Sequence, residues 1–98
     1  DYDPTALNAL FGYDIYASMP PFKSNDVELF DNSVGSAKEV YIDIFDWTEA
    51  DALAYMDLLD ALLPYDDVEE SWVIGNYFLY VYADDETYPG QMVYGIGI

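Results

Sequence analysis

Two adjoining stretches decide the fold: Lys38-Glu39-Val40-Tyr41-Ile42-Asp43-Ile44-Phe45-Asp46-Trp47, and then Thr48-Glu49-Ala50-Asp51-Ala52-Leu53-Ala54-Tyr55-Met56-Asp57-Leu58-Leu59-Asp60-Ala61-Leu62-Leu63-Pro64. In the first, apolar residues alternate with others. Val40, Ile42 and Ile44 fall on one face, and Glu39, Tyr41, Asp43, Phe45 and Trp47 on the other. Side chains of a strand alternate between faces, so the pattern predicts a strand over 38–47 with one core face and one acidic, aromatic face. In the second, the period changes. Leu53, Met56, Leu59 and Leu63 recur at helical spacing and predict a buried stripe. Thr48 is suited to cap the free amides, and Glu49 and Asp51 complement the positive end of the dipole. Pro64 stops the helix. Glu49, Asp57 and Asp60 lie along one margin of the stripe.

Downstream, Tyr65 to Glu70 reads as an acidic loop. Ser71 to Ala83 is aromatic and β-branched, as strands are, and Gly75-Asn76 inside it marks a tight hairpin turn or a bulge. A loop over 84–90 leads to a last strand, 91–98, expected to pair antiparallel with 77–83. Upstream, Asp3-Pro4 opens a short helix that ends at Gly12. Tyr13–Ser18 is expected as a strand, Met19-Pro20-Pro21 as a break, Val27–Phe30 as a short strand and 32–36 as a turn. The whole reads as a single acidic α+β domain over 1–98, a small, mostly antiparallel sheet with one main helix (48–63) packed on it and a short N-terminal helix.

The charge of this domain is lopsided. The 98 residues hold 14 Asp and 6 Glu against 2 Lys, with no Arg, His or Cys, for a formal charge of −18. Disorder does not fit a chain that is 53% hydrophobic and 18% aromatic, with 11 Tyr. Direct nucleic-acid binding needs Lys and Arg for the phosphates, so it is not expected. Thiolate chemistry, disulfides and the common catalytic triads lack their residues. With no candidate catalytic residue and no cofactor motif, the reading is not an enzyme. The acidic runs Asp84-Asp85-Glu86 and Asp66-Asp67 lack the spaced ligands of a calcium loop, so no metal site is expected. No apolar run reaches the ~20 residues needed to span a bilayer. The chain starts at Asp1 with no signal-like stretch, which reads as a trimmed or processed form.

The acids are spread evenly along the sequence, as on a surface adapted to a salty cytoplasm. Their functional reading is mimicry of a nucleic-acid backbone. Duplex DNA carries one negative charge per ~1.7 Å of its axis. Carboxylates four apart on a helix are spaced by ~6 Å, and those two apart on a strand by ~6.6 Å. Glu39, Asp43, Glu49, Asp57, Asp60, Asp66, Asp67, Glu69 and Glu70 are the candidate row, with Tyr41 and Trp47 adding buried area. Tyr and Trp are enriched at binding hot spots.

Residues 41–78 resemble the repeated unit of the ArdA-type antirestriction proteins. The resemblance lies in Tyr41-Ile42-Asp43, Glu49-Ala50-Asp51-Ala52-Leu53, Leu62-Leu63-Pro64, Glu69-Glu70 before Trp72, and Asn76-Tyr77-Phe78. It implies an acidic DNA mimic in which a strand, a helix and an acidic loop display the charge. The expected function is thus a phage or mobile-element anti-defence inhibitor. It would block a basic nucleic-acid-binding protein, such as a restriction enzyme or CRISPR complex, in the cytoplasm of an infected or host cell. The alternatives are a processed subunit of an extracellular filament or virus particle, forming a homo-oligomer through Met92–Ile98 as an uncovered edge strand, and an immunity protein against a basic nuclease toxin.

Overall fold

In the computed structural model, which describes residues 1–98, the core face of the sheet forms as the alternation requires. Strand β2 (Val40–Ile44) buries Val40, Ile42 and Ile44. It pairs antiparallel with β1 (Val27–Asp31) on one side and with β6 (Val93–Gly97) on the other. Strand β6 pairs in turn with β5 (Tyr77–Asp84), β5 with β4 (Ser71–Ile74), and β4 with the two-residue β3 (Tyr65–Asp66). The order is β1-β2-β6-β5-β4-β3, antiparallel throughout. This is an α+β fold. The strand expected at an uncovered edge is therefore the one joining the two halves of the sheet. Both its flanks are hydrogen-bonded, so it offers no free edge to a second copy.

Helix α2 (Glu49–Leu62) covers the core face. Thr48 caps it reciprocally: the Asp51 amide donates to Thr48 Oγ1 at 3.3 Å and the Thr48 amide to Asp51 Oδ2 at 2.8 Å. Its buried residues are Ala52, Tyr55 and Leu59, with Met56 and Leu63 partly buried. Leu53, expected in the stripe, is 53% exposed. The helix is rolled so that the larger Tyr55 ring enters the core. There Tyr55 packs against Phe22 and Trp47, and its hydroxyl donates to the Pro20 carbonyl at 2.8 Å.

Helix α1 (Thr5–Phe11) closes on Gly12, which adopts φ 76° and donates its amide to the Asn8 carbonyl. Residues expected as a strand over 13–18 instead form a 3-10 turn at Ile15–Ser18. Asp14 accepts the Ala17 amide at 3.2 Å and holds that turn shut. Leu7, Phe11, Ile15, Met19 and Phe22 join the sheet and α2 in one core. No buried side-chain nitrogen or oxygen lacks a partner. No helix is long and apolar enough to cross a membrane.

Candidate functional site

The sheet face turned away from α2 carries the second half of the strand alternation. Register places two rows across it. Phe30, Tyr41, Gly97 and Tyr80 form one, and Glu28, Asp43, Gly95 and Tyr82 the other. Glycine stands in the central strand of both rows because the tyrosine rings occupy the space a side chain would take. A Cβ on Gly97 would lie 2.3 Å from the Tyr80 ring. One on Gly95 would lie 2.4 Å from both the Tyr82 ring and the Ile42 carbonyl oxygen. The rings thus lean over the middle of the sheet instead of standing off it.

The result is a cavity of about 410 Å3, walled by Phe30, Tyr41, Tyr80, Tyr82 and Tyr88. Asp43 lies in it at 6% exposure. The Tyr82 hydroxyl donates to Asp43 Oδ1 at 2.5 Å, and the Tyr88 hydroxyl to Oδ2 at 2.9 Å. Burial first, and then the bond to Asp43, raise the Tyr82 hydroxyl well above the usual tyrosine range. The same causes in the same order push Tyr88 up to about 12. Tyr41 is raised chiefly by its bond to Glu39 and next by Tyr80. Asp84 completes the rim. It accepts the amides of Glu86 and Thr87 and the Thr87 hydroxyl, which fixes the loop that carries Tyr88. Those three bonds, the side-chain one largest, lower its pKa.

The candidate acids divide between this face and the helix layer. Glu39 and Asp43 are on the open sheet face, where Asp43 is buried and committed to two hydroxyls. Asp57 and Asp60 are exposed on α2. Asp60 accepts the Trp72 indole N–H at 2.9 Å, which ties the end of α2 to β4. The β3–β4 turn therefore sits beside that end of the helix and exposes Asp67, Glu69 and Glu70. Asp66 accepts the Val68 and Glu69 amides at 2.9 Å and braces the turn. Glu49 is at the opposite end of α2, ~16 Å along the helix from Asp60 at 1.5 Å per residue.

Trp47 does not share a face with Tyr41. The strand stops at Ile44, so the alternation lapses, and Trp47 turns into the helix layer against Phe22 and Tyr55. Tyr80, Tyr82 and Tyr88 suit sheet packing and an interface equally as sequence, so they stand outside the candidate row, as do the two glycines. Their signal was the spacing Gly95-x-Gly97 opposite Tyr80-x-Tyr82, which acquires meaning only with the register.

No three carboxylates converge closely enough to hold a metal ion. Comparison with protein-family models, curated proteins and solved structures finds no match to this chain.

Proposed function

We propose that this protein is an acidic DNA mimic that occupies the cationic groove of a nucleic-acid-binding protein, as a binding protein and not an enzyme. The observation that carries the reading is the braced acidic end of the molecule. Asp60 on α2 is bonded to Trp72, which follows the turn that exposes Asp67, Glu69 and Glu70; Asp57 is exposed one turn earlier on the same helix, and no Lys or Arg follows Lys38 in the sequence. Charges held on such a frame need little ordering when a groove closes on them. Glu70 adds weight. Its backbone stands at φ 52°, a conformation that favours glycine, yet it carries a carboxylate. The resemblance of residues 41–78 to ArdA-type antirestriction proteins covers the same segment. The proposed target is a restriction or CRISPR nuclease in the cytoplasm of the infected or host cell. Long-range attraction would speed the encounter, and salt would slow it.

The test is inhibition of a candidate nuclease over a salt series, with the wild type beside a variant carrying Asp57→Asn, Asp60→Asn, Glu69→Gln and Glu70→Gln. The expected result is potent inhibition by the wild type that weakens with salt and collapses in the variant. Inhibition that is indifferent to the four substitutions overturns the assignment of this end as the contact surface.

A further inference from the structure

We propose that the tyrosine-walled cavity on the open sheet face seats an arginine side chain of the basic partner. The proposal rests on the decoy reading for the partner's identity and on the cavity's own chemistry for the residue. Both oxygens of Asp43 accept hydroxyl donors, from Tyr82 and Tyr88. Both donors are neutral. Asp43 thus lines a hollow with no cation among its walls.

The walls are aromatic. Tyr41 and Tyr82 have ring centroids 6.0 Å apart, and Tyr80 and Tyr82 have theirs 6.2 Å apart. Ring faces attract cations, and they do so more strongly away from water. Glu28 stands opposite Asp43 in the register, Asp84 is on the rim, and Glu39 is bonded to Tyr41, so the approach is negative from each side. The cavity is within the ~300–1,000 Å3 typical of small-ligand sites. A guanidinium is planar, stacks on aromatic rings and can present two donors to one carboxylate. An ammonium supplies only a point charge, so arginine suits these walls better than lysine.

The probe is N-acetyl-arginine amide, titrated into the 15N-labelled protein at about physiological salt and followed by amide chemical shifts. N-acetyl-lysine amide is the comparison. The expected result is saturable shifts confined to residues 41–43, 80–88 and 95–97, with the arginine compound binding more tightly. Asp43→Asn is expected to weaken binding by about tenfold or more, since one carboxylate contact is worth upward of a tenfold step. Should Asp43→Asn fail to fold, Tyr80→Leu removes a half-buried wall instead and is expected to weaken binding several-fold.

Shifts that spread over α2 and the β3–β4 turn without saturating overturn the proposal. So does equal binding of the two amides, or arginine binding unchanged in either variant. The variant with four acids neutralised separates the two proposals. It keeps the arginine site even if it loses nuclease inhibition. Failure of the wild type to inhibit any nuclease, with arginine still bound in the cavity, counts against the decoy reading alone.

Discussion

Tyr82 reaches across Gly95 to place its hydroxyl on Asp43, two strands away. Without the gap at Gly95 the ring has nowhere to lie, and without the ring a buried carboxylate loses one of its two donors.

Replacing the glycines tests the first half of that relationship. Gly95→Ala is expected to cost ~1–3 kcal/mol through overpacking, measured by denaturant unfolding. Gly97→Ala is expected to cost less. The added methyl at Gly95 meets the Ile42 backbone carbonyl, which cannot swing aside, whereas at Gly97 the closest contacts are with the half-buried Tyr80 ring. Equal costs would mean that the ring, not the backbone, sets the limit at both positions.

Tyr82→Phe tests the second half. It leaves Asp43 Oδ1 without its hydroxyl, and the expected loss is ~1–3 kcal/mol. Tyr13→Phe, at an exposed ring, is expected to stay within ~0.5 kcal/mol of wild type. A Tyr82→Phe variant as stable as Tyr13→Phe would show that the Asp43 bond adds nothing.

Alkali is expected to unfold the protein. Burial raises the Tyr55 and Tyr82 hydroxyls far above the usual tyrosine range, and Tyr88 is pushed up to about 12. A group whose folded pKa exceeds its unfolded one contributes stability in full below the unfolded value, ~10 for tyrosine. That contribution falls as the pH climbs from there through the folded values. Unfolding free energies measured from about pH 9 to 12 are expected to hold to about pH 10 and to decline beyond it. Tyr55→Phe is expected to flatten the decline.

Much of this architecture is legible in the residues, because Val40, Ile42 and Ile44 and the reciprocal cap of Thr48 and Asp51 announce their elements locally. What escapes are features decided by a distant neighbour. Residues 13–18 look strand-like in composition, but the Asp14 side chain captures the Ala17 amide and closes a turn. Leu53 keeps the helical period yet stays outside, because the bulkier Tyr55 takes the core. The cavity depends on strand register, which no local pattern encodes. Gly95 and Gly97 look like weak points in a strand until Tyr80 and Tyr82 are set opposite them.

Salt is expected to raise the melting temperature. With a formal charge of −18, the folded state holds its carboxylates closer together than the unfolded chain does, and counterions screen that repulsion. Calorimetry between low and moderate salt reads the effect, and a flat response would contradict it.

Glu70→Gly is expected to stabilise the protein by ~1–2 kcal/mol, because glycine accepts the left-handed backbone that Glu70 is forced into. The same change is expected to weaken nuclease inhibition by removing an exposed acid. Higher stability with undiminished inhibition would detach Glu70 from the contact surface.

Strand β6 also dictates an order of events at birth. Strands β1 and β2 form one ribbon and β3, β4 and β5 another, and no backbone hydrogen bond joins β2 to β5 directly. The ribosome delivers both ribbons before the segment that zips them together. Until residues 93–97 leave the exit tunnel, two incomplete half-sheets must wait with their inner margins bare. Closure then brings together parts of the chain about fifty residues apart, the kind of non-local pairing that slows folding. A ribosome-bound nascent chain halted before that segment clears the tunnel is the state in which this molecule is most vulnerable to mispairing.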